Sequence, residues 1–295
     1  MASLPSKMLR LSNGAMMPQV GFGLYLMGEA EACAATAAAL KAGYRHLDSA
    51  SFYGNERGVG AGLLASGVAR RDVFVATKVW TDCIGLGPDA VRSSVRKSAE
   101  LLGVEYLDLV YVHWPAPGHV AAYRALEALH AEGLVRAIGL SNYRIEDYDE
   151  LVSAGLKVAP VANQIECNPW LFRTETIEFF KAKDIATVAY KPLLRGGGLD
   201  DATVVGLSGK HGVSPAQVLV KWGLNHGLAV LPKSSNAGRM AQNLDVWSFD
   251  LGSEDMAQLD ALQPAGSDET FRAHFAKRAV VDADQPTVAV YAGAP

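Results

Sequence analysis

An aspartate, a tyrosine, a lysine and a histidine stand along this chain where apolar runs give out. Asp48 ends the run Gly43-Tyr-Arg-His-Leu-Asp48, and Tyr53 follows on the next loop. Lys78 ends Val73-Phe-Val-Ala-Thr-Lys78, and His113 ends Leu107-Asp-Leu-Val-Tyr-Val-His113. Brought together, the four make a proton-transfer set. A phenol has an unperturbed pKa of about 10, so it serves as a proton donor near neutrality where a cation favours its ionised form. Lys78 is that cation, and Asp48 is the counter-charge that keeps a lysine protonated at the buried end of a strand. His113 could then hydrogen-bond a carbonyl oxygen and orient it. Each residue alone also has an ordinary structural use: Asp48 as a helix cap, Tyr53 as a half-buried phenol, Lys78 with its stem reaching to solvent, His113 as a satisfied core histidine.

Their positions follow from a repeating pattern of elements. Met8–Leu11 and Ala15–Met17, joined by Ser12-Asn13-Gly14, read as an N-terminal hairpin, because Asn-Gly readily takes the positive φ of a tight turn. Eight short strands follow, near residues 20–23, 43–48, 73–78, 107–113, 135–140, 161–164, 185–190 and 228–231. Helices are expected over 29–42, 55–66, 88–102, 119–132, 144–154, 174–183, 202–211, 215–225, 238–247 and 253–262. Strand and helix alternate with no change of composition and no linker, which predicts an α/β fold in one domain over 1–295, a (β/α)8 TIM barrel. A doubly wound open sheet is the alternative. It calls for a glycine-rich phosphate turn after the first strand, and Gly21-Phe22-Gly23 lacks the third glycine and the helix start. Gly58, Gly60 and Gly62 fall inside a helical pattern and are expected to permit close packing. The segment from about 263 to 295 has little periodicity and is expected to be an irregular tail over the barrel mouth.

A barrel gathers the carboxyl ends of its strands on one rim. The apolar runs end there in Asp48, Lys78, His113, Ser141-Asn142, Gln164, Tyr190 and Lys233-Ser234. A single polar strand end is an ordinary cap, whereas polar ends on so many strands converge on one site. Composition narrows the function classes. The net charge of −4 and the absence of a long basic run argue against nucleic acid as a partner. Cys33, Cys83 and Cys167 are far apart and lack metal-ligand spacing, so no metal is expected, and reduced thiols in the cytoplasm are. The first 18 residues lack a leader pattern and no apolar run reaches membrane-spanning length, so a soluble protein with no membrane partner is expected.

The chain resembles the aldo-keto reductase family. The motifs that carry the resemblance are Asp48-Ser-Ala-Ser-Phe-Tyr53-Gly-Asn-Glu56, Thr77-Lys78-Val-Trp80, His113-Trp114-Pro115, Gly139-Leu-Ser-Asn142, Asn163-Gln-Ile-Glu-Cys-Asn168-Pro169, and Leu231-Pro-Lys233-Ser234 with Arg239 and Asn243. The resemblance implies Tyr53 as general acid, Lys78 and Asp48 as its tuning pair, His113 as the residue that orients the carbonyl, and hydride delivery from a nicotinamide without metal. It implies that Ser141, Asn142 and Gln164 hold the carboxamide and that Tyr190 stacks on the ring. Leu193 and Arg195, in the loop 192–198, go with the pyrophosphate. Lys233, Ser234 and Arg239 resemble the clamp on an adenosine 2′-phosphate, with Gln242 and Asn243 at the adenine. Two cations and a hydroxyl suit a phosphate dianion better than a ribose diol, which favours NADPH. Tyr25, Trp80 and Trp114, with His113, are expected to line an aromatic pocket for apolar aldehydes and ketones. Core packing is the other use for both tryptophans.

Three positions depart from the family pattern. Lys191 stands where a small residue, commonly Ser, is usual; Gln242 replaces a frequent Glu; and residues 270–295 follow no family pattern. The expected activity is NADPH-dependent reduction of aldehydes or ketones by a monomer. Two other readings stay open on the residues: a cofactor-binding redox sensor with little turnover, and a Schiff-base lyase using Lys78.

Overall fold

Residues 7–267 are described in the computed structural model of the chain. Two short antiparallel strands come first, β1 (Met8–Arg10) and β2 (Met16–Pro18). In the turn between them Gly14 takes φ +84°, and the Asn13 side chain accepts the Ala15 amide at 3.0 Å. The barrel strands are β3 (Phe22–Gly23), β4 (His46–Asp48), β5 (Phe74–Val79), β6 (Leu109–Val112), β7 (Ile138–Ser141), β8 (Ala162–Glu166), β9 (Ala186–Tyr190) and β10 (Ala229–Val230). They lie in sequence order, each parallel to the next. The Gly21 amide donates to the Val230 carbonyl at 2.9 Å and the Val230 amide to the Gln19 carbonyl at 2.7 Å, joining last strand to first and closing a (β/α)8 barrel.

The crossovers carry α1 (Glu29–Ala42), α2 (Glu56–Ser66), α3 (Thr81–Gly85), α4 (Pro88–Leu102), α5 (His119–Ala131), α6 (Ile145–Ser153) and α7 (Thr174–Lys181). Two helices, α8 (Ala202–His211) and α9 (Pro215–Asn225), precede β10, and α10 (Ala237–Leu244) and α11 (Ser253–Asp260) follow it. The start of α9 shows how locally these are specified. Pro215 sits in its first turn, the Ser214 hydroxyl accepts the Gln217 amide, and the Gln217 side chain accepts the Ser214 amide.

Side chains alternate between the two faces of a strand, and that alternation builds the rim. Phe74 and Ala76 of β5, Leu109 and Tyr111 of β6, Ala162 of β8 and Val188 of β9 fill the barrel interior. Two residues further along the same strands come Lys78, His113, Gln164 and Tyr190. The intervening residues, among them Val75, Val79, Val110 and Val112, pack outward in the helix-facing core. Leu11 and Met17 of the hairpin segment join the interior cluster, so the hairpin plugs the amino-terminal end of the barrel.

The glycines of α2 do pack closely. A Cβ on Gly58 would lie 2.1 Å from the Glu29 carbonyl oxygen, one on Gly60 2.5 Å from that of Leu102, and one on Gly62 2.4 Å from that of Cys33. Only a bare Cα lets α2 lie this near α1 and α4.

Some boundaries differ from expectation. The strand expected over 107–113 is regular only over Leu109–Val112, Leu107 making an isolated bridge to Val135. The helix expected to reach 247 ends at Leu244, where Asp245 leaves helical geometry with ψ 67°. The short α3 lacks a full period of apolar positions and was not anticipated. The tail placed over the barrel mouth lies, from residue 268 onward, outside the described residues.

Candidate active site

The carboxyl end of the barrel brings the four proton-transfer candidates together. Lys78 Nζ donates to Asp48 Oδ1 at 2.5 Å and to the Ser49 carbonyl at 2.7 Å, and lies 3.3 Å from the Tyr53 hydroxyl. The Lys78 side chain is wholly buried and that of Asp48 nearly so. His113 faces Tyr53 edge-on, with ring centroids 6.0 Å apart, and Trp80 packs edge-on against His113 at 4.8 Å. All but Lys78 line a cavity of about 520 Å³. Tyr25, Phe52, Trp80 and Trp114 supply its aromatic wall, with Phe52 stacked on Trp80 at 4.0 Å and Tyr25 against Tyr53 at 4.9 Å.

An ammonium held between a carboxylate and a phenol, at the mouth of a (β/α)8 barrel and beside a histidine, is the arrangement that the sequence motifs implied. The Aldo/keto reductase family model matches residues 11–264. The chain belongs to the aldo/keto reductase family. It is 43% identical over 258 residues to a 9,11-endoperoxide prostaglandin H2 reductase of Trypanosoma cruzi, a match covering 85% of this chain and 90% of that one. It is 38% identical to a glyoxal reductase of Bacillus subtilis, covering 86% and 92%. The crystal structure of a Bombyx mori aldo-keto reductase in complex with NADP superposes with a TM-score of 0.82 at 30% identity, covering 88% of this chain and 94% of that one.

In this aldo/keto reductase the loop bearing Tyr53 is tied down by a residue that sequence reading treated only as a helix start. Asn55 is fully buried. Its Nδ2 donates to the carbonyls of Leu24 and Met27 at 2.9 and 3.0 Å, and its Oδ1 accepts the Ser49 hydroxyl at 3.0 Å. The loop of Tyr25 and the loop of Tyr53 are thereby fastened to each other. Ser51 adds a bond from its hydroxyl to the Lys78 carbonyl at 3.0 Å. No local signal distinguishes such an Asn from an ordinary cap.

Burial holds His113 well below the ordinary histidine value, and the Lys78 charge adds to the effect. The imidazole is therefore neutral and keeps one N–H to offer an oxygen. Burial pulls the Lys78 ammonium below the lysine range, while Asp48 opposes it by charge and hydrogen bond. His46, at the start of β4, is also lowered by burial, with Asp48 and the Pro18 carbonyl opposing. Two histidines with depressed native values make stability depend on pH. In the unfolded chain they take up protons near pH 6.5, whereas the folded state resists, so stability falls as pH drops below that value. Glu56, raised by burial, offsets part of this below that pH because it favours the protonated folded state. The unfolding free energy from urea titrations should therefore fall between about pH 7.5 and about pH 5.5, by up to ~1.4 kcal/mol per pH unit for each histidine. Replacing His46 by Gln should flatten the slope, and a slope of opposite sign would refute the assignment.

The residues expected to hold a cofactor are spread along the cavity. Asn142, Gln164, Tyr190, Leu193, Arg195, Lys233, Ser234, Arg239 and Asn243 line it. Asn142 has φ +62°, and its amide donates to the His113 carbonyl at 3.0 Å while its Oδ1 accepts the Tyr190 hydroxyl at 2.8 Å. Arg239 Nε reaches Ser234 Oγ at 3.4 Å. Asn243 is buried and its Oδ1 meets no donor, an acceptor left for a base amino group. The donor set thus fits a dinucleotide. Two expected residues are not brought to the cavity. Ser141 is buried behind Gln164, donating to its carbonyl at 3.0 Å. Gln242 is exposed, because one residue along α10 turns it away from the inward face that holds Asn243.

Lys191 departs structurally as well as in sequence. It has φ +51°, and its ammonium pairs with Glu166 Oε2 at 2.7 Å, both residues lining the cavity. Leu194 and Arg195 follow in the same left-handed region, so the loop after β9 is strained at three non-glycine positions. Neither Glu166 nor its pairing was anticipated from the sequence.

Proposed function

We propose that this chain is an NADPH-dependent carbonyl reductase that takes aldehydes or ketones to alcohols, with Tyr53 as proton donor. The observation that carries the reading is the Asp48, Lys78 and Tyr53 array beside a neutral His113 in one aromatic-walled cavity. When bound, the nicotinamide supplies the hydride. His113 orients the carbonyl through its N–H, and the Tyr53 hydroxyl gives its proton to the oxygen as charge develops there. Lys78 lowers the cost of the phenolate left behind, and Asp48 holds Lys78 charged in a site that excludes water. Trp80, Trp114, Phe52 and Tyr25 exclude solvent and offer apolar surface to the substrate.

Lys233 and Arg239 clamp the 2′-phosphate in this reading. A charge-assisted bond to a phosphate contributes about 1.5–3 kcal/mol, so Lys233→Met should raise the NADPH dissociation constant roughly 10- to 100-fold. The NADH constant should stay put. Fluorescence titration with both cofactors measures this, and equal weakening of the two would remove the clamp.

Small carbonyl compounds are proposed as substrates, in keeping with the glyoxal reductase relative and with a cavity of about 520 Å³. Loss of NADPH absorbance over a panel of glyoxal, methylglyoxal and aromatic aldehydes tests the activity. Tight cofactor binding with no turnover across the panel would favour the redox-sensing alternative. A single-domain, monomeric and cytoplasmic enzyme completes the proposal. A sheet running unbroken in sequence order and three free cysteines support it, and light scattering on the eluted protein tests the monomer. No helix among the described residues is long and apolar enough to cross a membrane.

A further inference from the structure

Both oxygens of the Asp48 carboxylate are engaged, and by different parts of the site. Oδ1 accepts Lys78, while Oδ2 accepts Gln164 Nε2 at 2.7 Å. Gln164 is buried in the middle of β8, on the side of the barrel where the carboxamide residues lie. A carboxylate only accepts, so Asp48 fixes which end of the Gln164 amide faces it and leaves Oε1 as the acceptor at the other end. The same residue is held from behind, its backbone carbonyl accepting the Asn142 amide at 2.9 Å and the Ser141 hydroxyl at 3.0 Å. One rigid, buried amide thus bridges the cofactor side of the pocket to the carboxylate that governs the proton donor.

We propose that Gln164 is a positioning residue for proton transfer as well as a cofactor contact, acting through Asp48 and Lys78 on the acidity of Tyr53. The positive end of the amide dipole lies against Oδ2 and offsets part of the Asp48 charge. Without it, more of that negative charge is felt at Tyr53, the phenolate is less favoured, and the phenol holds its proton to higher pH. The other ionisable groups facing this cluster are His46 on the same strand as Asp48, Glu56 behind β5, Tyr111 on β6 and His113 just after it. Of these only Tyr111 also faces the Gln164 amide, which favours its ionised form against burial, so a change at Gln164 reaches Tyr111 as well and the Tyr53 signal must be read apart from it. The inference rests on Tyr53 being the proton donor.

The test is a titration of the free protein labelled with [13Cζ]tyrosine, the Tyr53 resonance being assigned by its loss in Tyr53→Phe. In Gln164→Met, which keeps the bulk and removes the donor, Tyr53 should titrate roughly half a pH unit higher, less than the 1–3 units of a direct charge partner. Gln164→Glu, which places a second carboxyl against Asp48, should move it the same way, and the high-pH limb of kcat at saturating NADPH should follow. A rise in the NADPH dissociation constant with Tyr53 titrating as in the wild type, or titrating lower, would make Gln164 a cofactor contact only. If Tyr53→Phe itself turned over normally, the assignment of the proton donor would fall instead, whatever Gln164 does.

Discussion

Tyr53→Phe should lower turnover by ~10²–10⁴-fold while leaving the NADPH dissociation constant nearly unchanged, the range expected when a positioned general acid is removed. The substitution is clean because the phenylalanine ring retains the packing. Tyr53 touches the Tyr25 ring at 4.9 Å and the His113 ring at 6.0 Å, and neither contact involves its hydroxyl. What is lost is the oxygen 3.3 Å from Lys78 Nζ. Lys78 keeps its two shorter acceptors, Asp48 Oδ1 and the Ser49 carbonyl, so the fold should lose no more than about 1 kcal/mol. Single-turnover loss of NADPH absorbance, with fluorescence titration of the cofactor, separates the two effects. Near-normal turnover would take Tyr53 out of the mechanism, and weakened binding in proportion to lost turnover would make its role one of binding.

Lys78→Met is expected to cost more, because it removes one member of a buried pair. The Lys78 side chain is 0% exposed and that of Asp48 4%. Breaking such a pair leaves an uncompensated charge and typically destabilises by about 3–5 kcal/mol. Gln164 alone would then remain on the Asp48 carboxylate. Turnover should fall at least as far as in Tyr53→Phe, since the phenolate loses its cation. Adding Asp48→Asn to Lys78→Met removes the stranded charge and should restore much of the stability but none of the turnover. Urea unfolding and steady-state rates measure the two quantities independently. Equal stability of the single and double variants would mean that Asp48 and Lys78 are not energetically coupled. The same burial weighs against a Schiff-base lyase. Lys78 Nζ has three neighbours within 3.3 Å and lies off the cavity lining, so borohydride with a carbonyl substrate should leave no adduct on it.

The sequence by itself determined the barrel, its hairpin and the composition of the rim, because each of these rests on local rules. Apolar runs of strand length, caps such as Ser214 with Pro215, and the Gly14 turn act within a few residues. A residue placed two steps beyond an inward one on the same strand must face the same axis. That is why Asp48, Lys78, His113, Gln164 and Tyr190 were legible as one rim before any coordinate. The tertiary structure alone decided which of those polar ends touch. Gln164 meets Asp48 from 116 residues away, and Lys191 turns to Glu166 across neighbouring strands. Asn55 ties two loops whose partners lie 28 and 31 residues back, and Gln242 points to solvent while Asn243 points inward. Spacing along a strand gives the direction of a side chain, but not its partner. The partner depends on strand stagger around a closed sheet and on which donors remain unsatisfied once the interior is filled, and both are properties of the assembled barrel.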